Sequence, residues 1–470
     1  MMRFPTTTLI LFACVLGRAS GETPAGRDSR MEWWREARFG MFVHWGIYSG
    51  LAATWQGEEV KAKGGPSVRI QQRAKQGIDT YTYAAAAIPV FRPKEGFARQ
   101  WARVAKQAGC KYVVFTTKHH DGFALHDSAL TQFDAGDVVG RDLVKEIVEA
   151  LRAEGLRVGF YHSLIDWHHP QYDFTKGNGL PYPGGAKAVA VTPRDHDKYL
   201  DFLHGQAREL ATRYGPIDIF WWDYSFPGAD GEFWRATDLM ELVRKSQPQV
   251  IMNNRLYRRP EAGWAVSGGA SRQLDTQFGD FTTPERSTYD SKVPGLDWES
   301  CITMNESWGF NAHDHAWKSS KELIRLLVDT ASKGGNLLLN VGPTGEGEIP
   351  QESVERMADI GNWMARYGNS IHGTTAGPLA STPWGRCTAR RLENDNTRLY
   401  LHVFDWPTNG RLTLTGLANE VISAELVGEP EEMLSVERAS DGLLLKLPAK
   451  APDTAVSVIA LDLRGRVGAD

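Results

Sequence analysis

Apolar residues recur along residues 27–372 in two alternating patterns. Short unbroken runs include RFGMFVHWG (38–46), KYVVFTTKHHDG (111–122), LRVGFYHSLIDW (156–167), IDIFWWDYS (217–225), QVIMNNR (249–255) and GNLLLNVGP (335–343). Their β-branched and aromatic side chains suit strands buried on both faces. Between the runs the period lengthens to that of a helix. In RDLVKEIVEALRAEG (141–155), Leu143, Ile147 and Leu151 share one face, with Val144 and Val148 beside them, and Gly155 ends the pattern. SKELIRLLVDTASKGG (320–335) has the same form. Repeated strand–helix units predict a parallel sheet covered by helices. The length fits a (β/α)8 barrel with insertions. A doubly wound open sheet is the alternative, but no glycine-rich phosphate loop follows the first run, which counts against its nucleotide-binding version.

Near residue 376 the pattern changes. RLYLHVFDWP, GRLTLTGL, VISAELVG, GLLLKLP and AVSVIALDL are short, alternating and separated by Gly, Pro and Asn. They predict a separate antiparallel β-sandwich over 376–470.

Composition sharpens this picture at three points. The chain has 470 residues, of which 42% are apolar, enough for two cores. Its net charge of −4 is spread over mixed acids and bases without a basic block, so nucleic acid is not an expected partner. Tryptophan is abundant, at 16 residues, and indole rings near polar loops suit the C–H faces of carbohydrate.

The N-terminus has the order of an export signal over residues 1–20: Arg3, an apolar stretch from Leu9 to Leu16, then Gly17, Ala19 and Ser20. The stretch is too short to span a bilayer. A secreted or periplasmic protein without stable membrane insertion is expected. Too little apolar sequence precedes Cys14 for a lipoprotein signal. Cys110, Cys301 and Cys387 are an odd, sparse set, expected to be buried rather than a disulfide framework.

Barrel chemistry gathers at the C-terminal ends of strands. Those ends carry His44 and Trp45; Lys118, His119, His120 and Asp121; Tyr161, His162, Asp166 and Trp167; Trp221, Trp222 and Asp223; and Asn253, Asn254 and Arg255. Singly, each has a structural explanation, such as an N-capping Asp. Together they outline a pocket. Metal-assisted hydrolysis could use His44, His119, His120 and Asp223. However, adjacent histidines in extended chain point to opposite sides, and HDH at 313–315 lies in a polar loop. Acyl transfer lacks a G-x-S-x-G motif. Glycoside hydrolysis would use two carboxylates, with His and Arg donors on sugar hydroxyls and Trp against the ring.

With ARFGMFVHWGIYS, KYVVFTTKHHDGFAL, GRDLVKEIVEALRAEGLRVGFY, YGPIDIFWWD, TMNESWGFN and LVDTASKGGNLLLNVGPTGEGEIP in view, the chain resembles the α-L-fucosidase family of glycoside hydrolases from about Trp33 to its C-terminus. The resemblance implies a retaining exo-glycosidase on a (β/α)8-like barrel with a C-terminal β-sandwich, needing neither metal nor cofactor and acting on fucosylated glycans. It makes Asp223 the nucleophile and Glu285, in GDFTTPE, the acid/base. It places His44, His119, His120, Tyr161, His162, Trp221, Arg255 and Trp308 around the sugar. Glu58, Glu299 and Glu306 compete for the acid/base role, although Glu299 is expected to enter a strand and make structural hydrogen bonds.

The chain also departs from the family pattern. Val68 and Arg69, in GGPSVRIQQRAK, stand where a Glu-Trp pair is usual. His162 replaces a Tyr, and His126 a Trp. Arg69, His126 and His162 would add positive or hydrogen-donating character, as a sulfated sugar would need. Alternatively, Glu58 or Glu59 with Trp55 supplies the lost contacts. A glycosidase for a related L-sugar and a non-catalytic sugar-binding barrel are the other readings.

Overall fold

The computed structural model describes residues 22–61, 67–73, 78–172, 194–225, 229–257, 279–379, 382–440 and 442–467. The expected export signal lies outside them. Among the described residues, seven strands form one parallel sheet: β1 (Phe39–Val43), β2 (Tyr112–Lys118), β3 (Arg157–Ser163), β4 (Ile219–Asp223), β5 (Ile251–Met252), β6 (Glu299–Thr303) and β7 (Asn336–Val341). Their order is β5–β4–β3–β2–β1–β7–β6. The segment 280–286 joins the two edges. Its Phe281 carbonyl accepts from Asn254 N (3.0 Å), its Thr282 carbonyl accepts from Glu299 N (2.9 Å), and its Arg286 N donates to Cys301 O (2.9 Å). With that irregular eighth position the ring closes, and neighbours in space are neighbours in sequence. The (β/α)8 expectation holds, and the open sheet is excluded.

The covering helices follow the periodicity. Leu143, Val144, Ile147, Val148 and Leu151 are buried on the helix Leu143–Ala153, which Asp142 caps through Lys145 N. The helix Ser320–Ser332 starts with a capping box of Ser319 and Glu322.

Strand alternation decides what fills the barrel. Gly40 faces inward because the Tyr112 ring lies across it; a Cβ there would meet that ring at 2.4 Å. Phe42, two residues on, packs against Tyr161 and Trp221, at 6.0 and 5.2 Å between ring centroids. This aromatic layer is the floor of the pocket above.

Beyond the barrel, a six-stranded antiparallel sheet includes Gly385–Arg391, Thr397–Val403, Val421–Leu426 and Ser457–Leu463, and a three-stranded sheet includes Arg411–Thr415 and Gly442–Lys446. Leu399, Leu401, Ile459 and Leu461 of the larger sheet share a core with Leu412, Leu414, Leu443 and Leu445. The alternate residues Tyr400, Val458 and Ala460 join the barrel core instead. Trp363 Nε1, on the helix Gln351–Tyr367, donates to Val456 O at 2.9 Å, and Arg386 Nε pairs with Asp329 at 2.6 Å. A sheet covered on both sides explains why these strands are buried almost throughout.

Barrel closure rests on one buried acid. Asp280 Oδ2 accepts from Met252 N (2.8 Å), and Oδ1 from Arg30 Nη2 (2.8 Å); Arg244 adds a second cation at 2.9 Å. Burial alone would raise the Asp280 carboxyl, but the Arg30 hydrogen bond and the charges of Arg244 and Arg30 hold it below its ordinary value. Asp280→Ala is expected to cost about 3–5 kcal/mol, because it breaks a buried ion pair, leaving Arg30 only the less buried Glu22 and the Val250 carbonyl, and unpins segment 280–286. A lowered urea midpoint checks this. The folded carboxyl titrates below its unfolded value. Its contribution is therefore complete above pH about 4 and is lost as pH falls through the depressed value.

Candidate active site

β4 turns Trp221 inward and therefore also Asp223, two residues on, at its C-terminal end. Asp223 Oδ1 accepts from Arg255 Nη1 (2.7 Å), and Oδ2 accepts from the Tyr161 hydroxyl (2.7 Å). His120 Nε2 lies 4.0 Å from Oδ2. Arg255 Nη2 donates to Glu285 Oε2 (3.2 Å), Nε donates to Thr283 Oγ1 (2.7 Å), and the guanidinium lies 4.4 Å from the Trp221 ring centroid. One cation thus spans both carboxylates. Burial would lower the Arg255 pKa, but the charges of Asp223 and Glu285 outweigh it and hold the guanidinium firmly protonated. The barrel-closing segment is what brings Glu285 here.

The competing acids lie elsewhere. Glu299 is buried below the site, where Oε2 accepts from the Tyr112 hydroxyl and Oε1 from Trp221 Nε1 at 3.1 Å. Burial pushes its carboxyl up to about 7, against the hydrogen bonds from Tyr112 and Trp221. It steadies the indole beneath Arg255, consistent with the structural role expected of it. Glu306 and Glu58 are exposed.

Three histidines line the pocket. His44 and His119 have ring centroids 5.7 Å apart, and His119 and His120 are 4.0 Å apart. His119 stacks on Tyr161 at 5.4 Å, and Trp308 lies 4.9 Å from His44. The expectation that His119 and His120 diverge is corrected: β2 ends at Lys118, and Gly122 N bonds back to His119 O at 3.1 Å, so both rings leave a turn rather than extended chain.

The expectation that histidines act as donors is also corrected for two of them. Asn340 Nδ2 donates to Trp308 O (2.6 Å), which turns its Oδ1 toward His44 Nδ1 (2.6 Å). Ser163 Oγ donates to Ile165 O (2.8 Å), which leaves it to accept from His120 Nδ1 (2.7 Å). Both rings therefore carry their proton on Nδ1 and present a bare Nε2. Burial keeps them neutral: it pushes His44 down to about 4 against the Asn340 hydrogen bond, and holds His120 well below its usual value with help from Arg69. A bare imidazole nitrogen accepts from a sugar hydroxyl.

The structure does not bring His162 to the site. Tyr161 faces inward, so His162 faces the helices, with Nδ1 3.0 Å from Thr117 Oγ1 and its ring against Trp222. His126 is likewise remote, paired with Glu209 at 3.2 Å. Lys118 and Asp121, at a strand end expected to face the pocket, instead bond Asp166 (3.1 Å) and the Tyr83 hydroxyl (2.7 Å). Sequence reasoning missed Tyr224, whose positive φ of 83° swings its ring to 4.5 Å from His120. It also missed Asn340 and Ser163. Asn340 could have been found from alternation, as a polar residue on the inward face of LLLN. Among the described residues, no three His, Cys, Asp or Glu are placed to hold a metal ion. Cys110, Cys301 and Cys387 are buried and unpaired.

Two carboxylates held close by one guanidinium suit cleavage of a glycosidic bond, and a glycoside hydrolase is the class that this barrel and site define. The chain matches the family model described as Alpha-L-fucosidase over residues 21–369 and belongs to that family. It is 38% identical to α-L-fucosidase isoenzyme 1 from Paenibacillus thiaminolyticus, with a TM-score of 0.81 over 93% of this chain and 99% of that one. It is 30% identical to the tissue α-L-fucosidase of Macaca fascicularis, over 93% and 89% of the two chains. An α-L-fucosidase from Bacteroides thetaiotaomicron, solved as a trapped covalent intermediate with 2-fluoro-fucosyl fluoride, aligns at 28% identity and a TM-score of 0.78 over 93% and 97%.

The tautomer assignment is testable. Nitrogen NMR of the enzyme is expected to show His44 and His120 neutral with protonated Nδ1 at pH 7. Ser163→Ala should let the His120 proton exchange between nitrogens and lower kcat/KM on a fucoside roughly tenfold to a hundredfold, as for loss of one buried hydrogen-bond partner. Ser163→Thr, which keeps the hydroxyl, should restore most of it.

Proposed function

We propose that this enzyme removes terminal α-L-fucosyl residues from fucosylated oligosaccharides or glycoconjugates by double displacement, with Asp223 as nucleophile and Glu285 as acid/base. The observation that carries the reading is the single Arg255 guanidinium shared by the two acids, which favours the short separation of about 5–5.5 Å that retention requires. The side chain of Glu285 is 29% exposed against 13% for Asp223, so Glu285 faces the mouth, where the leaving group departs.

In the first step Asp223 attacks the anomeric carbon while Glu285 gives its proton to the glycosidic oxygen. Arg255 and the Tyr161 hydroxyl orient the attacking carboxylate. As the ester bond forms, Asp223 loses its negative charge, and Arg255 remains beside Glu285, which becomes the anion when its proton passes to the departing oxygen. In the second step Glu285 takes a proton from water, and water displaces Asp223. The covalent intermediate trapped in the Bacteroides thetaiotaomicron relative supports this route. His44 and His120 accept hydroxyls of the sugar, and His119, Trp308 and Trp221 complete the wall around it. The export-signal pattern of residues 1–20 supports a secreted or periplasmic location. N-terminal sequencing of the mature protein checks it.

Asp223→Gly should reduce kcat on an aryl α-L-fucoside by several orders of magnitude, and azide should restore part of it with β-fucosyl azide as product. A near-native rate without azide would remove Asp223 from the role.

Glu285→Ala should slow substrates with poor leaving groups severely and fucosyl fluoride much less, because only the former need the proton. Azide should here give the α-configured product. Equal loss on both kinds of substrate, with no azide product, would assign the proton transfer to another acid.

A further inference from the structure

Among the buried or half-buried arginines, Arg69 and Arg286 each have a single hydrogen-bond acceptor among the described residues, and that of Arg286 is a backbone carbonyl, Glu306 O at 2.9 Å. Where Arg38, Arg356 and Arg390 lack a carboxylate, backbone carbonyls answer them: Thr374 and Gly334 for Arg38, Lys318 and Glu352 for Arg356, and Gly373, Asn369 and His372 for Arg390. The half-buried Arg69 has one acceptor among the described residues, the Tyr224 hydroxyl, 2.6 Å from Nη2. It forms no ion pair there, and its Nε is buried without a partner. A guanidinium carries five N–H donors. Most of those on Arg69 therefore lack an acceptor among the described residues.

Its position is fixed and faces the pocket. Ser67 Oγ donates to Gly309 O at 2.9 Å, and Val68 before the side chain and Ile70 after it are buried, so the backbone on either side is anchored. The guanidinium carbon lies 5.2 Å from the centroid of the Tyr224 ring, which in turn lies 4.5 Å from His120. Its charge adds to burial in holding His119 and His120 neutral. Asp223 and Glu285 both contact Arg255, and among the described residues neither forms an ion pair with Arg69. Arg69 sits at the end of the pocket where imidazoles meet sugar hydroxyls, whereas the leaving group departs past Glu285.

We propose that Arg69 forms a subsite for an anionic substituent on the sugar ring, a sulfate ester, so that the enzyme prefers sulfated α-L-fucosides. This rests on the reading of the protein as a fucoside hydrolase and names the substrate within it. A sulfate oxygen beside the His119–His120 edge takes up guanidinium donors that no described residue uses and pairs with the cation.

The test compares nitrophenyl α-L-fucoside, each of its mono-O-sulfated forms, and a plain fucoside with a carboxylate on the aryl group. At least one sulfated fucoside is expected to have a lower KM than the plain one, with the advantage shrinking as salt rises. Inorganic sulfate is expected to compete with it. Arg69→Met, which keeps the apolar stem, should lower the sulfated-to-plain ratio of kcat/KM roughly tenfold to a hundredfold, the scale of a charge-assisted hydrogen bond. Arg69→Lys should retain part of the ratio, and this guards against a folding defect in the Met variant. The proposal is overturned if every sulfated form is a poorer substrate than the plain fucoside. It is equally overturned if the ratio is unchanged in Arg69→Met, or if the advantage appears only with the anionic aryl group, which would move the anion to the leaving-group side. Turnover of the plain fucoside that depends on Asp223 would leave the fucosidase reading intact in each of those cases.

Discussion

Two carboxylates must face each other across a glycosidic bond, and like charges resist that placement. At a separation of about 5 Å and an effective dielectric of about 20, two unit charges repel by roughly 3 kcal/mol. Arg255 offsets the repulsion by lying against both, 2.7 Å from Asp223 and 3.2 Å from Glu285. The cation needs its own support in a buried site. Trp221 provides a ring face and Thr283 a hydroxyl, while Glu299 holds the indole from below. The chain from Tyr112 through Glu299 and Trp221 to Arg255 links the barrel floor to the reacting groups.

That chain requires a closed ring. Arg255 follows β5 and Glu285 precedes β6, so their side chains meet only because segment 280–286 runs between those strands. Asp280 pins the start of the segment through Met252 N, Arg30 and Arg244. The acid that holds the barrel shut thus lies five residues before the acid proposed to move the proton. Stability and catalysis share one short stretch of backbone.

The imidazoles show how neighbours choose between a donor and an acceptor. His44 and His120 have the same side chain and opposite surroundings to a charged histidine: burial, a nearby cation, and an acceptor already satisfied on Nδ1. Asn340 and Ser163 set the tautomers of these rings, and the pocket gains two acceptors for hydroxyls. Arg69 adds to the neutrality of His120 and forms no ion pair among the described residues.

Much of this protein was legible in one dimension. The two periodicities predicted a parallel barrel and then an antiparallel sandwich, because apolar runs joined by helical segments and short alternating runs joined by turns leave different patterns. The residues of "WWD" and "NNR" marked strand ends, and motif resemblance singled out Asp223, Arg255 and Glu285. Alternation along β3 was equally legible and separates Tyr161 from His162, yet similarity of position alone had grouped them. Tertiary structure decided what pattern cannot encode. The convergence of His119 and His120 depends on where β2 stops and the turn begins. The tautomers depend on Asn340 and Ser163, which come from other strands. That no described residue forms an ion pair with Arg69 depends on which side chains fold near it. Sequence periodicity reports which face of an element is buried; only the packed chain determines which polar groups meet on the inside and which charge is left over.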